Sequence, residues 1–192
     1  IYSLIRIASR RIGNSIHFSL PKGYNGIYIG IPGKQADQDP RLTAIAEIFA
    51  GTPVTLHLSD DILLDIWDKF GLNVSRNLPQ AILGVGIGAY DDSTYVDAIM
   101  RQMRHEVVLV ANAKGIPLKE EFQAGKWLPT QRYSTLQDLD AHRHTEIDMF
   151  SGALVRMGKE LGIACPYNEM TYNLIKALEE KNDGKFDYEF LS

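Results

Sequence analysis

The first part of the chain has short segments in which apolar and polar residues alternate with a period of two, as expected for β-strands. The segments SIHFSL (15–20) and GIYIGIP (26–32) combine β-branched and aromatic residues with Gly or Pro at their ends. A third segment, TPVTLHLS (52–59), has the same character. About three strands make only a thin sheet, so residues 1–58 are predicted to be a small α/β piece.

A helix is predicted between these strands, in DPRLTAIAEIFAG. Asp39 is the expected N-cap, Pro40 takes the first helical position and Gly51 ends the helix. From Ser59 onward the apolar residues recur three and four apart, which predicts an all-helical region, residues 59–192, of about five helices.

Two of these helices have clear end signals. DDSTYVDAIMRQMRHEVVLVANAKG has polar residues in its first turn, Gly115 as a stop and Pro117 just beyond. The last helix is predicted to begin near Pro166, and the tail 183–192 to be loosely held.

A longer helix is predicted to begin near Ser134 and to continue through SGALVRMGKELG (151–162). Residues three and four apart along it would form one apolar stripe. The stripe consists of Ile147, Phe150, Leu154, Met157 and Leu161.

The composition of the 192-residue chain is that of an ordinary globular protein, with 45% apolar and 23% charged residues. A net charge of −4 gives no electrostatic reason to expect nucleic acid or an anionic membrane as a partner. The single cysteine, Cys165, excludes an internal disulfide, fits a cytoplasmic location and is expected to be a buried hydrophobe. The chain opens at Ile1 without Met, which suggests a fragment or a processed chain.

The run GVGIGA (84–89) matches G-x-G-x-x-A, an accepted form of the dinucleotide-binding fingerprint. A working fingerprint needs a strand before it and a helix immediately after it. The preceding residues contain Pro79 and continue a helical pattern, and YDDST after Ala89 indicates a new cap rather than an immediate helix. We therefore expect Gly84, Gly86 and Gly88 to allow a turn or a close approach of helices.

Polar residues occur at helical spacing in IWDKFGLNVSRN. Lys69, Asn73 and Asn77 follow at i, i+4 and i+8, so an α-helix would place them on one face. A solvated face is one interpretation. The other is a binding site, since Asn is a mediocre helix former and offers both a donor and an acceptor to a ligand with a carboxylate and a hydroxyl.

The segment YSTLQDLDAHRHTEIDMFSG has a second group of polar residues. Ser134 with Gln137 has the spacing of a capping box. Of Glu146 and Asp148, one acid is expected to be exposed and the other to pair with Arg143 or a neighbouring helix. No metal site is expected from HRH, because side chains two apart point to different sides of a helix.

These segments together resemble the C-terminal domain of the ketopantoate reductase (2-dehydropantoate 2-reductase) family. The family's motifs are Trp-x-Lys followed by two Asn at four-residue intervals, S-x-LQD, and R-x-TEID with a later Gly. In this chain they are represented by Trp67–Lys69, Asn73, Asn77, Ser134–Asp138, Arg143–Asp148 and Gly152, and Asn168 also fits.

The resemblance implies that residues 1–58 are the closing strands of an NADP-binding Rossmann domain. Residues 59–192 would be an all-α substrate-binding and catalytic domain, similar to the 6-phosphogluconate dehydrogenase C-terminal-like fold. It further implies that NADPH delivers hydride to a 2-oxo acid while Lys69, as general acid, protonates the carbonyl oxygen. Glu146 would orient Lys69, bond the new hydroxyl and form a possible cofactor contact. Asn73, Asn77 and Ser134 would hold the substrate.

Two departures from the family pattern limit these implications. LPQAILG follows Asn77, where the family often has Pro directly after the second Asn and then Thr, so another branched 2-oxo acid is an alternative substrate. The family's phosphate-binding loop is not found in this sequence, so the chain alone is expected to bind NADPH poorly and to be inactive. A homodimer is the expected assembly, and a non-catalytic helical association module is the alternative function.

Overall fold

A computed structural model of the chain has two compact units, Ile1–Trp67 and Asp68–Ser192. The boundary between them falls within a helix, and the domain boundary predicted near residue 58 stays a prediction. The residues that the structure describes are 1–7, 9–18, 26–122 and 128–188.

The first unit contains a three-stranded sheet and a separate hairpin. Its strands are β1 (Tyr2–Arg6), β2 (Ser9–Ile12), β3 (Ser15–Phe18), β4 (Gly26–Gly30) and β5 (Leu56–Ser59). The sheet order is β1-β4-β5, with β1 antiparallel to β4 and β4 parallel to β5, while β2 and β3 form the hairpin. The strand predictions are confirmed, although residues 19 and 20 of SIHFSL lie outside the described residues.

Helix α1 (Pro40–Phe49) begins at the predicted cap, because the Asp39 carboxylate accepts a hydrogen bond from the Arg41 N–H at 3.1 Å. Its Leu42 is fully buried in a small core with Ile29 of β4. Gly30 allows close packing there, since a Cβ at this position would lie 2.6 Å from the Ser59 carbonyl oxygen. The α/β prediction for this unit is thus confirmed.

From Ser59 onward the described chain is mainly helical. The helices are α2 (Ile62–Leu72), α3 (Leu78–Leu83), α4 (Ala89–Asp92), α5 (Thr94–Ala113), α6 (Ser134–Asp140), α7 (Ser151–Leu161) and α8 (Pro166–Asn182). The predicted stop of α5 at Gly115 is confirmed by its φ of 79°. The helix begins later than predicted, because Asp91 and Asp92 belong to α4 and the Ser93 hydroxyl accepts from the Val96 N–H. None of the described helices is both long and apolar enough to cross a bilayer.

The single helix predicted from Ser134 to residue 162 is wrong. Helix α6 ends at Asp140, and His142 follows with a φ of 51°. The carbonyl of Asp138 accepts the N–H groups of Ala141 and Arg143, which closes a turn. Residues 141–150, named here the Glu146 loop, therefore separate α6 from α7.

The apolar stripe of that predicted helix divides accordingly. Ile147 and Phe150 are buried but belong to the Glu146 loop, and Leu154 is buried within α7. Leu161 is 39% exposed. Buried residues of the predicted stripe thus occur both in the loop and in α7.

The glycines of residues 84–88 allow a turn after α3 and a close approach of their backbone to Pro129. Gly84, with a φ of 67°, ends α3. Gly88 N–H donates to the Pro129 carbonyl at 2.9 Å, and a Cβ on Gly86 would lie 2.2 Å from that same oxygen. The expectation that no helix follows directly was wrong, since α4 begins at Ala89, but a helix rather than a strand precedes the run.

Candidate active site

Lys69 lies in the last turn of α2 and is half-buried. The chain then continues as a π-helical turn, Asn73–Asn77, before α3 begins. In a π-helix the hydrogen bonds run from i to i+5, so the turn is wider than the α-helical turn assumed from the sequence, and such turns are frequent at functional sites. Asn73 is half-buried and Asn77 is buried, so the three residues do not share one solvated face.

A buried arginine holds this helix against α5. The Arg104 side chain is 1% exposed, and its Nη2 lies 3.3 Å from Asp68 Oδ1, next to Lys69 in the chain. A Cβ on Gly71 would lie 2.1 Å from Arg104 Nη1. Gly71 is therefore the residue that admits the guanidinium to the backbone of α2.

The structure brings Asn77 and Ser134 together. Asn77 Nδ2 donates to Ser134 Oγ at 3.2 Å, and Asn77 Oδ1 accepts from the Thr135 N–H at 3.2 Å. The Asn77 amide thus binds the first turn of α6, while the Ser134 residue remains exposed. The predicted capping box is wrong, because Tyr133 is the N-cap and the Gln137 amide donates to the Arg132 carbonyl instead.

Gln80 extends this contact. Its side chain is fully buried, with Oε1 accepting from the Tyr133 N–H at 2.7 Å and Nε2 donating to the Gln131 carbonyl at 3.1 Å. Gln80 and Asn77 together form what we name the amide clamp, which fixes residues 131–135. Sequence reasoning missed Gln80 as a functional residue, although it noted the departure from the family pattern at this position.

Glu146 is exposed in its loop, where its backbone carbonyl accepts the N–H groups of Met149 and Phe150. Asp148 accepts a hydrogen bond from Tyr172 on α8 at 2.7 Å. The expectation that one acid is exposed and the other pairs with a neighbouring helix is therefore confirmed. Lys69 and Glu146 are not joined by a hydrogen bond or ion pair within the described part of the chain.

Asn168 has a different place from the other motif residues. It is fully buried, and its Nδ2 donates to Glu106 Oε2 at 2.6 Å while its Oδ1 accepts from Ser151 Oγ at 2.9 Å. The buried Glu106 also accepts the N–H groups of Tyr167 and Asn168, in the first turn of α8. The Glu106 carboxylate is favourable there, because the N-terminus of a helix is the positive end of its dipole. The hydrogen bonds among Glu106, Ser151 and Asn168 tie α5, α7 and α8 together.

The remaining singled-out side chains have structural partners. Cys165 is buried as expected, and burial raises the pKa of its thiol to about 11, so it remains protonated at neutral pH. His144 Nε2 lies 3.0 Å from Asp183 Oδ2. Arg143 binds Asp138 with both Nε and Nη2, so it does not reach Asp148.

The candidate site therefore offers the Lys69 ammonium on α2 and the Asn77 amide on the π-helical turn. It also offers the exposed Ser134 hydroxyl at the start of α6 and the exposed Glu146 carboxylate in the loop after α6. These are donors and acceptors suited to a small hydroxylated acid.

Comparison with known families is decisive for the affiliation. The family described as "Ketopantoate reductase PanE/ApbA C terminal" matches residues 61–179, which include all five predicted site residues. The chain belongs to the ketopantoate reductase family. The α/β piece followed by the helical C-terminal domain of this family is thereby shown, as the resemblance implied.

Curated relatives agree with the family assignment. A 2-dehydropantoate 2-reductase from Pyrobaculum aerophilum is 32% identical over 143 residues, covering 72% of this chain and 51% of the relative. One from Caulobacter vibrioides is 31% identical over 146 residues, covering 72% of this chain and 49% of the relative. The chain thus spans about half the length of these ketopantoate reductases.

Solved structures show the same fold. A PanE/ApbA family ketopantoate reductase from Ralstonia eutropha JMP134 has a TM-score of 0.77 at 27% identity, over 94% of this chain and 59% of that one. A dimeric ketopantoate reductase from Staphylococcus aureus has a TM-score of 0.76 at 16% identity, over 94% and 62%. A D-mandelate dehydrogenase in complex with NADH and anilino(oxo)acetate has a TM-score of 0.71 at 24% identity, over 84% and 70%.

Proposed function

We propose that this chain is the substrate-binding and catalytic portion of an NADPH-dependent 2-dehydropantoate 2-reductase, which reduces ketopantoate to (R)-pantoate for pantothenate and coenzyme A biosynthesis in the cytoplasm. The observation that carries the proposal is the family match over residues 61–179, which contains Lys69, Asn73, Asn77, Ser134 and Glu146. The hydrogen bond between Asn77 and Ser134 supports the proposal, since two residues predicted to bind the substrate lie side by side.

In the proposed reaction, Lys69 transfers a proton from Nζ to the carbonyl oxygen of the 2-oxo acid as the carbon is reduced. An ammonium group can donate a proton to an oxygen on which negative charge develops. General acids of this kind accelerate reactions by roughly 10² to 10⁴. Asn73, Asn77 and Ser134 would hold the substrate's carboxylate and hydroxyl, and Glu146 would bond the new hydroxyl and orient Lys69.

NADPH supplies the hydride for such a reduction. The glycine run does not fit the phosphate-binding role, because Gly86 and Gly88 pack on Pro129 and a helix precedes them. We therefore assign no nucleotide site to this run, and expect the chain alone to bind NADPH weakly and to turn over nothing. Micromolar NADPH binding by the chain would contradict this part of the proposal.

Ketopantoate titrated into the isotope-labelled chain tests the proposal directly. NMR shifts of the backbone amides of residues 69, 73 and 134 should saturate, and Lys69→Ala and Asn73→Ala should each weaken binding by roughly tenfold. Lys114→Ala, an exposed lysine beyond the end of α5, is the matched control and should bind as the wild-type chain does. Equal affinities for Lys69→Ala and the wild-type chain would reject the site and favour a non-catalytic association module.

A reductase of another branched 2-oxo acid is the second candidate. The observation that favours it is the segment LPQAILG after Asn77, which departs from the family pattern and whose Gln80 fixes the segment bearing Ser134. Competition between ketopantoate and other branched 2-oxo acids in the same titration distinguishes the two. Tighter binding of another acid would replace ketopantoate as the substrate.

A homodimer is also proposed. Met170 and Leu174 expose 65% and 40% of their surface on α8, an apolar face suited to self-association. Light scattering measures the mass directly, and a monomer at all concentrations would reject the dimer.

A further inference from the structure

The two residues that flank Glu146 in the chain are both fixed, although Glu146 itself is exposed. Ile147 is fully buried in the core. On the other side, Thr145 donates two hydrogen bonds to Glu179 Oε1 on α8, from its N–H and from its Oγ1, each at 2.7 Å. Thr145 Oγ1 in turn accepts the Ile147 N–H at 3.2 Å.

Glu179 belongs to a row of polar residues that faces the Glu146 loop. Tyr172, Lys176 and Glu179 are spaced four and three apart, which places them on one face of α8, and Asp183 follows four residues later at the C-cap. We name this row the α8 polar stripe. Each residue of the stripe contacts a residue of the Glu146 loop, so the loop packs against this face of the chain.

Lys176 lies between Glu179 of α8 and Asp148 of the Glu146 loop. Its Nζ lies 2.9 Å from Glu179 Oε2 and 3.6 Å from Asp148 Oδ2. Tyr172 donates to the other oxygen of Asp148 at 2.7 Å. The loop is therefore held before Glu146 through Thr145 and after it through Asp148.

Burial makes Glu179 the member with the largest consequence. Its side chain is 2% exposed, whereas the Asp148 side chain is 58% exposed. Loss of its hydrogen-bond donors destabilises the fold more for a buried carboxylate than for an exposed one, because water cannot replace the donors at a buried site.

The geometry points to Glu179 as a positioning residue for Glu146, acting through Thr145, with Lys176 as the cation that lies against the other oxygen of the Glu179 carboxylate. This inference rests on the proposed function for the importance of Glu146, but the anchoring itself is a property of the fold. Burial of Ile147 is the competing explanation, since it could fix Glu146 without Glu179.

Two pairs of variants separate these explanations. Glu179→Gln keeps the shape of the side chain but removes its charge, and Glu180→Gln makes the same change at the next residue of α8, where Glu180 pairs with exposed Lys185. Thr145→Val removes the hydroxyl with little change in shape, and Thr145→Ser retains it. Thr145→Val also keeps the test informative if Glu179→Gln fails to fold.

Hydrogen exchange of the Thr145 and Ile147 amides in the full chain is the primary measurement. We expect Glu179→Gln and Thr145→Val to speed exchange of these amides by roughly tenfold or more, while exchange at Ile175 inside α8 stays unchanged. Glu180→Gln and Thr145→Ser should behave as the wild-type chain does. Unchanged protection of Thr145 and Ile147 in Glu179→Gln would overturn the inference and assign the positioning to Ile147 alone.

Ketopantoate titration of the same variants adds a separate arm. Weaker binding by Glu179→Gln and Thr145→Val, with normal binding by their partners, supports positioning of a ligand-contacting Glu146. Normal ketopantoate binding despite a released loop overturns that positioning role. If the wild-type chain does not bind ketopantoate, the proposed function fails, and the exchange data alone decide the anchoring.

Discussion

The segment that carries Ser134 includes the start of the short helix α6, and the loop that carries Glu146 follows the end of that helix, yet the two are held in different ways. Residues 131–135 are fixed by the amide clamp, in which buried Asn77 and Gln80 form neutral hydrogen bonds with backbone and hydroxyl groups. The Glu146 loop is fixed by the α8 polar stripe, in which ionised groups bind one another across a partly exposed surface.

The difference teaches how each region should respond to its surroundings. Neutral amide bonds do not depend on protonation, so the clamp should hold equally at all pH values at which the chain folds. Charged bonds depend on protonation and on salt. The segment that carries Ser134 and the Glu146 loop should therefore respond differently to pH.

Gln80→Leu is expected to have the largest effect on stability. It leaves the Tyr133 N–H and the Gln131 carbonyl without the side chain that binds them, and each lost partner costs about 1–3 kcal/mol. We expect a total loss of about 2–6 kcal/mol in the free energy of unfolding, measured by urea denaturation, with no dependence on pH.

Gln102→Leu is the matched control for this substitution. Gln102 is exposed on α5, so its replacement should change the unfolding free energy by less than about 0.5 kcal/mol. If Gln80→Leu proved as mild as Gln102→Leu, water would be able to replace the clamp, and the contrast between the two regions would disappear.

Glu179→Gln is expected to cost about 1.5–3 kcal/mol at neutral pH, the range for hydrogen bonds to a charged group. Burial alone would raise the pKa of Glu179, but the Thr145 donors and the Lys176 ammonium outweigh it and hold the pKa below its ordinary value of 4.5. The carboxylate therefore stabilises the fold above pH 4.5, and this contribution is lost as the pH falls below 4.5 toward the folded-state pKa.

Urea denaturation at several pH values checks the sign. The difference between the wild-type chain and Glu179→Gln should be full at neutral pH and should shrink in acid below pH 4.5. A difference that stays constant across this range would mean that shape rather than charge makes Glu179 effective.

The sequence was sufficient for features whose cause is local. Asp39 caps α1 and Gly115 follows the end of α5 where they were expected, since a cap and a left-handed glycine act within a few residues. The same reasoning failed for the Glu146 loop. No Gly or Pro marks the break after Asp140, and His142 adopts a positive φ in a segment held from α8, more than thirty residues away.

Two buried polar residues that were missed depend on distant partners. Gln80 and Glu179 have the polarity of surface residues, and only contacts 53 and 34 positions away in the chain explain their burial. The π-helical turn has no sequence mark either. For Glu179 a signal existed in the polar spacing of α8, which a search restricted to apolar stripes does not detect.

Tyr172→Phe sharpens the comparison at the outer end of the stripe. The Tyr172 hydroxyl, followed by Lys176, holds the pKa of the Asp148 carboxyl below its ordinary value of 3.8. Without the hydroxyl this pKa should rise toward 3.8, which an NMR titration of the Asp148 carboxyl measures directly. An unchanged pKa of Asp148 would show that the Tyr172 hydroxyl does not lower it and that the nearby Lys176 cation is sufficient.

Arg143→Ala should have the smallest effect, although Arg143 begins the R-x-TEID motif. Its guanidinium binds Asp138 at the surface, where 58% of the arginine side chain and 24% of the aspartate side chain are exposed. Exposed ion pairs contribute about 0.2–1 kcal/mol and are screened by salt, so the loss in unfolding free energy should be of this size and should fade as salt is added. A larger, salt-insensitive loss would mean that Arg143 orders the Glu146 loop itself. The loop would then be held from both of its ends, and α8 would share the positioning of Glu146 with α6.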